Sequence, residues 1–155
     1  MKHRIDVREA VVFGALLVLA VVGRWAEPAW NFTPLAAATA MGGFYFRHWL
    51  PAALLPAAAL AVSDLWLPRH DSLAVLVSVH LMAALPLVLG RVARRGDVRQ
   101  RIACCGLCGV VPATAFFLVT NLAVWAFQPY YAKTVAGLLH CYERGLPFYR
   151  TMLAG

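Results

Sequence analysis

The chain has 155 residues, enough for one domain of ordinary size, and a formal net charge of +7. Apolar residues make up 62% of it and charged residues 14%, against about 45–50% and about 25% in soluble domains. This composition excludes an ordinary soluble domain. Nucleic acid is not an expected partner, because no basic face accompanies a soluble fold. We predict an all-α membrane protein that forms one transmembrane domain over residues 1–155.

Six apolar segments follow one another along the chain. They cover residues 7–25, 34–46, 49–67, 72–90, 102–128 and 131–155. A membrane-spanning helix needs about 20 mostly apolar residues, and the runs 49–63, 72–90 and 102–132 contain no Lys, Arg, Asp or Glu. The first segment lacks a convincing cleavage site for a secretory signal, so we interpret it as a retained span. The pattern predicts a bundle of about six transmembrane helices.

The linker RVARRGDVRQR, residues 91–101, gives the orientation. It contains five arginines and one Asp, and Lys and Arg gather in cytoplasmic loops. Counting back four spans places Lys2, Arg4 and Arg8 on the same side. We therefore predict a multi-pass protein with its N-terminus inside.

The last segment is irregular. KTVAGLLHCYERG carries three charged residues and is typical of an interfacial helix, and Pro147 then begins PFYRTMLAG. Nine residues at about 1.5 Å each cannot cross the hydrocarbon core. Either residues 131–155 form one tilted, broken span, or the last helix is truncated.

Polar and aromatic side chains are predicted to converge at the outer side of the membrane. Thr120 and Asn121 lie in the outer half of the fifth segment, within the apolar run FFLVTNLAVW. The other members come from the outer turn after the first segment, the end of the third, the outer end of the fifth, and the region just after it: Asn31, Thr33, Asp64, Trp125 and Tyr130. A polar ligand would satisfy the buried hydrogen-bonding groups. The pattern indicates a small-molecule site.

Each of these residues also has a structural interpretation. Thr120 can bond to a carbonyl one turn earlier, and Asn121 can join two helices. Trp125 and the tyrosines can form an aromatic belt at the membrane surface. Asp64 can be paired or solvated at a helix end.

Four cysteines are distributed over two places. Cys104, Cys105 and Cys108 form a C-C-x-x-C pattern at the inner end of the fifth segment. Such a pattern serves redox or metal chemistry, or simply small apolar packing. Cys141, between His140 and Tyr142, is predicted near the outer face, where a thiolate suits a soft metal.

Several strings together resemble a known family. They are NFTPLAAATAMGG, the Ser-Asp at 63–64, FFLVTNLAVW and KTVAGLLHCYERGLPFYRTMLAG. They resemble small bacterial membrane proteins of unknown function that are described as candidate transport proteins. That family is similar in size and layout to the S components, the substrate-binding subunits of energy-coupling factor (ECF) vitamin transporters.

The resemblance implies an S-component-like bundle of six helices in the bacterial cytoplasmic membrane, with both termini inside. Substrate would bind near the outer face, under the loop between the first two helices. The small-residue face of the first helix, with Ala10 and Gly14, would meet a coupling subunit that ATPases serve. Solitary cobalamin transporters of this fold place a cysteine on cobalt, which implies Cys141 as a ligand to a metal centre in the substrate.

The sequence therefore predicts a substrate-binding subunit or solitary transporter for a vitamin-like micronutrient. Hydrogen bonds would come from Asn31, Thr33, Asp64, Thr120 and Asn121, and aromatic walls from Trp125, Tyr130 and Tyr142. No catalytic constellation and no Walker motif is found, so neither an enzyme nor a resident cofactor is expected. The expected partners are membrane lipid, the substrate, and an ECF-type coupling subunit with its ATPases. Two alternatives stay open: redox or metal handling by Cys104, Cys105 and Cys108, and a structural membrane subunit.

Overall fold

The computed structural model describes residues 6–26, 34–67 and 72–154. Within these ranges the chain forms six α-helices and no strand. The helices are α1 (Val7–Trp25), α2 (Leu35–Tyr45), α3 (Trp49–Ser63), α4 (Leu73–Arg95), α5 (Val98–Phe127) and α6 (Val135–Ala154). The prediction of an all-α fold with one helix in each apolar segment is confirmed.

Two of the described helices, α4 and α5, are long and apolar enough to cross a membrane. They have 23 and 30 residues, and the most apolar 18-residue stretch of each has a mean hydropathy of 2.3 and 2.2 respectively. Only 22% of the most apolar stretch of α5 is buried inside the protein, whereas the core helix of a soluble domain would be mostly buried. These helices indicate association with a membrane.

The predicted bundle of six spans is not shown. Helix α2 has 11 residues and is about 17 Å long, little more than half the thickness of a hydrocarbon core. Helix α3 is apolar but has only 15 residues. The other two helices carry more charge. Arg8, Glu9 and Arg24 lie in the end turns of α1, and Glu143, Arg144 and Arg150 interrupt α6.

The arginine-rich linker is mostly helical, which differs from the predicted loop over 91–101. Helix α4 runs on to Arg95 and α5 already begins at Val98. Asp97 caps α5, because its carboxylate accepts a hydrogen bond from the backbone N–H of Gln100 at 2.8 Å. Arginine is a good helix former, so a cluster of arginines does not by itself end a helix.

The centre of the fold is the contact between α2 and α4. A Cβ placed on Gly43 would collide with the carbonyl of Leu87, and one placed on Gly90 would collide with the carbonyl of Ala40. Two glycines therefore let the two backbones touch. Helices α1 and α3 pack on one side of this pair and α5 packs on α4. A small apolar cluster joins α1 to α5, formed by Ala20, Val21, Leu35, Ala38, Ala59, Leu60, Val75, Val79, Ala83 and Ala123.

Helix α6 packs only against α5 among the described helices. It is one continuous helix of 20 residues, and Pro147 lies inside it without ending it. The described chain thus has no break between the charged part and the PFYRTMLAG part of the last segment. A closed group of helices, α1 to α5, carries one peripheral helix on its α5 side.

Candidate functional site

One polar group lies where α1 and α3 end together. The guanidinium of Arg24 donates to a carboxylate oxygen of Asp64 at 2.8 Å and to the hydroxyl of Ser63 at 2.7 Å. Both charged side chains are largely buried, with 17% and 20% of their surface exposed. The indole of Trp25 donates to the Ser63 carbonyl and packs against Trp66. Asp64 is therefore an ion-pair partner that joins two helix ends.

Thr120 and Asn121 point to different sides of α5, because successive residues of a helix are about 100° apart. The buried Thr120 faces the closed group, and its hydroxyl donates to the carbonyl of Phe116 at 2.7 Å. The side-chain amide of Asn121 donates to the carbonyl of Phe117 at 2.8 Å and lies on the α6 side. The structure shows the one-turn bond for Thr120 and a place between two helices for Asn121.

A cleft of about 670 Å³ opens between α5 and α6. Its described lining residues are Asn121, Val124, Tyr131, His140, Cys141, Glu143, Arg144, Gly145, Pro147 and Phe148. The Cys141 thiol, 1% exposed, is 3.4 Å from the backbone oxygen of Asn121 and 3.9 Å from its amide oxygen. His140 and Glu143 approach each other at 3.4 Å on the exposed rim. The cleft combines one amide, charges of both signs and aromatic rings.

Close packing below the cleft fixes Asn121. A Cβ on Gly145 would lie 2.7 Å from the Asn121 amide oxygen and 2.9 Å from the ring of Phe117. Phe117 also stacks on Tyr149 at 4.7 Å between ring centroids and contacts Tyr142 at 5.5 Å. The Tyr142 hydroxyl donates to the carbonyl of Leu118 at 2.9 Å. Asn121 therefore has little freedom to turn.

The connection from α5 to α6 is held by its own hydrogen bonds. The indole of Trp125 donates to the carbonyl of Ala132 at 2.9 Å. The ammonium of Lys133 donates to the carbonyls of Trp125 and Gln128, the latter at 2.6 Å. These bonds satisfy carbonyls that the end of a helix leaves without partners. They also hold Tyr131 near His140, with ring centroids 5.8 Å apart.

The residues predicted from the sequence are distributed over separate places. Asn121 and Cys141 line the cleft, while Trp125 and Tyr142 pack beside it and Tyr130 is exposed. Thr120 faces the closed group and Asp64 belongs to the α1–α3 pair. Asn121 lines the α5–α6 cleft, whereas Asp64 pairs with Arg24 where α1 and α3 end, so Asp64 and Asn121 do not share a site. Asn31 and Thr33 lie outside the described residues.

Sequence reasoning missed several residues of the cleft, above all Glu143, Arg144 and Gly145. Their signal was present in the spacing of α6. Residues 140, 141, 144, 145 and 148 follow a helical repeat and form one stripe along the helix that faces α5. The charges in this stretch were interpreted as marks of an interfacial helix, which concealed the stripe.

The cysteines of α5 are separate from this cleft. Cys105 and Cys108 border a second cavity of about 330 Å³, whose other described residues come mainly from α2, α4 and α5. Cys104 is buried, and all four cysteines are free thiols. Among the described residues, no three His, Cys, Asp or Glu side chains form a group that could hold a metal ion.

Comparison with known proteins places the chain in a family. Residues 5–155 match a family described as "Family of unknown function (DUF6580)", and the chain belongs to it. No curated protein and no solved structure matches the chain.

Proposed function

We propose that this protein is a substrate-binding membrane protein for the uptake of a small, vitamin-like micronutrient, and that the α5–α6 cleft holds the substrate. The observation that carries the proposal is the lining of this cleft, where a fixed amide meets aromatic rings and charges of both signs. Its volume lies within the about 300–1,000 Å³ of ordinary ligand pockets. It lies along α5, one of the two helices suited to a membrane.

The lining suggests which ligand chemistry the cleft accepts. Asn121 uses one amide hydrogen on Phe117, and its oxygen accepts only a long contact of 3.9 Å from the Cys141 thiol, which leaves the second hydrogen and one lone pair of the oxygen for a ligand. Glu143 and Arg144 offer a charged partner of either sign at the exposed rim, and Tyr131 and Phe148 offer ring faces. A flat heterocycle with a polar or charged end fits these groups.

Cys141 enters the proposal in a secondary role. Its thiol lies against the backbone oxygen of Asn121 and is almost fully buried. A metal centre in the substrate would have to displace this contact. We therefore assign substrate recognition to Asn121 first, and keep metal ligation by Cys141 as the special case of a metal-containing substrate.

The proposed setting is the bacterial cytoplasmic membrane, with several passes and the N-terminus inside. Support comes from the arginines at the α4–α5 junction, because such residues favour the cytoplasmic side. Since α2 and α3 are short, we propose that they cross together with thinning of the bilayer around them. The proposal assigns the chain no catalytic step, so an ECF-type coupling subunit with ATPases would supply energy. Space next to Gly14 on α1 is open for such a subunit.

The test is native mass spectrometry of the detergent-purified protein, which detects small molecules that copurify. Three samples are compared: the wild type, Asn121→Leu and Thr120→Val. The third is a matched control, because Thr120 is adjacent, polar and buried but faces away from the cleft. We expect a ligand on the wild type and on Thr120→Val, and its loss from a folded Asn121→Leu.

A ligand that stays on Asn121→Leu would contradict the cleft as its site. If no sample carries a ligand and Asn121→Leu melts well below Thr120→Val, Asn121 is a structural contact instead. A double Cys105→Ala, Cys108→Ala variant addresses the redox alternative. That variant should bind the ligand normally under the present proposal and lose all function under the redox one.

A further inference from the structure

Arg91, in the last turns of α4, is a buried cation with free hydrogen-bonding capacity. It is 6% exposed, and its guanidinium lies 4.1 Å from the centre of the Trp49 ring. One terminal nitrogen, Nη1, donates to the carbonyl of Arg47 at 2.9 Å. The other terminal nitrogen, Nη2, and Nε are both buried without a partner among the described residues. Leaving charged donors unsatisfied in the interior is costly, so this arrangement needs an explanation.

The two unsatisfied nitrogens belong together. Nε–H and one N–H of Nη2 point in parallel from the same edge of the planar guanidinium, which is the edge that grips a carboxylate or phosphate with two hydrogen bonds. Trp49 covers the face of the group and Arg47 occupies the other edge. What the side chain lacks is one acceptor with two oxygens.

The described residues around this edge of Arg91 provide further positive charge. A cavity of about 190 Å³ is lined, in the described part of the chain, by Arg47, Arg91, Arg94 and Arg95. The ion pairs found in the described ranges, Arg24–Asp64 and His140–Glu143, are on other helices. Four guanidinium groups around one cavity repel one another unless an anion lies between them.

Ordinary features of helix ends explain only part of this cluster. Cations near a helix C-terminus interact favourably with the last carbonyls, and long side chains reach out of the membrane to water. Arg95 is exposed and Arg94 half-buried, so both fit that description. Arg91 does not, because its charge is turned inward and capped by a ring.

We propose that this arginine cavity binds a phosphate-type oxyanion, with the Nε–Nη2 edge of Arg91 as its two-point anchor. The same chemistry is offered by the headgroup of an anionic lipid and by free phosphate. A lipid source agrees with the exposed Trp49 and Leu50 beside the cavity, which offer apolar surface to acyl chains. Basic pockets on the cytoplasmic side of membrane helices are a known mode of lipid recognition. The site is separate from the α5–α6 cleft, so its test does not depend on that cleft.

The experiment uses the full chain, purified in detergent and stripped of lipid. Phosphatidylglycerol, diacylglycerol and inorganic phosphate are added separately, with native mass spectrometry for the lipids and thermal unfolding for phosphate. Arg91→Gln removes the anchoring guanidinium. Arg91→Lys keeps the positive charge but cannot donate two parallel hydrogen bonds. Arg95→Gln removes one charge of the cluster at an exposed position. Arg99→Gln is the matched control, because Arg99 is an exposed arginine that does not line the cavity.

We expect phosphatidylglycerol to bind the wild type and diacylglycerol not to bind. The affinity for phosphatidylglycerol should fall about tenfold or more in Arg91→Gln and several-fold in Arg91→Lys. It should stay unchanged in Arg99→Gln. Stabilisation by inorganic phosphate alone, lost in Arg91→Gln, would identify a free anion as the source.

Three results would overturn the proposal. They are no binding of either phosphate probe to the wild type, equal binding to Arg91→Gln, and an equal loss in Arg99→Gln, which would indicate diffuse charge attraction. If Arg91→Gln does not fold, the same comparison is made with Arg91→Lys and Arg95→Gln. Phosphatidylglycerol binding equal to that of Arg99→Gln in both variants would then overturn the proposal.

Discussion

The contact between α2 and α4 differs in kind from the contact between α5 and α6. At the first, Gly43 and Gly90 bring two backbones together, and small apolar side chains of both helices pack around them. At the second, an amide, a thiol and several rings meet, and a cleft of about 670 Å³ remains open. One contact holds the helices together by close approach, while the other leaves polar groups available. Stability and ligand binding should therefore be separable by mutation.

The two contacts differ because α2 and α6 have different numbers of neighbouring helices. Helix α2 touches α1, α3, α4 and α5, so its small residues are enclosed on several sides. Helix α6 touches only α5 among the described helices, and one-sided packing leaves the edges of the contact open. In a membrane, close packing of small residues is a main source of helix association. The α2–α4 contact should accordingly be the most sensitive part of the fold.

The largest effect is expected for Gly90→Val. The added side chain collides with the Ala40 carbonyl, which is backbone and cannot turn away. We expect a loss of about 3 kcal/mol or more in the free energy of unfolding, measured by denaturant titration in detergent. Gly14→Ala is the control, since nothing lies near a Cβ at that position. Equal stability of the two variants would show that α2 and α4 are not in backbone contact.

Asp64→Ala, in the closed group of helices, should have the next largest effect on the free energy of unfolding. It leaves the mostly buried guanidinium of Arg24 without its carboxylate, at a cost of about 1–3 kcal/mol. Asp64→Asn keeps an oxygen for Arg24 and should cost less. Ligand occupancy, followed by native mass spectrometry, should not change in either variant. A loss of ligand from folded Asp64→Ala would instead show that Asp64 takes part in ligand binding.

Gly145→Ala tests the contact between α5 and α6. Its methyl group presses on the Asn121 amide and the Phe117 ring, which are side-chain ends and are displaced at lower cost than backbone. We expect a small change in stability, about 1 kcal/mol, with a larger loss of ligand affinity because Asn121 leaves its position. Titration of the purified variant with the ligand of the wild type measures this. Unchanged affinity together with wild-type stability would mean that α6 does not press on Asn121.

The smallest effect is expected for Thr120→Val. The hydroxyl bonds only within its own helix, to Phe116, and its replacement keeps the shape of the side chain. The free energy of unfolding should change by about 0.5 kcal/mol, measured in the same denaturant titration. A much larger loss would point to a further partner for Thr120 within the closed group.

The sequence was sufficient to predict the helices, because each apolar run is separated from the next by charges, prolines or turns. It was not sufficient to predict their neighbours. Helix α5 is apolar on nearly every side, so no periodicity shows that Thr120 is buried within the closed group while Asn121 faces α6. The pairing of Asp64 with Arg24 was within reach, since the two residues lie near the C-terminal ends of the first and third apolar segments, which are predicted to run in the same direction.

Helix ends were predicted less well where charge was used as a boundary. The arginines at 91–101 suggested a loop, yet only Gly96 and Asp97 separate the two helices. In the last segment, Pro147 suggested a new start, yet α6 continues through it. A proline removes one backbone donor and does not by itself decide whether neighbours hold the helix in place.

The attachment of α6 to α5 alone bears on how the molecule is made. Every helix that α1 to α4 need as a partner precedes residue 128, so their packing can be complete before α6 leaves the ribosome. Helix α6 then joins a finished surface, and the bonds of Lys133 and Trp125 orient it as it arrives. Because α6 follows α1 to α5 in the chain, the cleft can form only after every helix of the closed group has been synthesised.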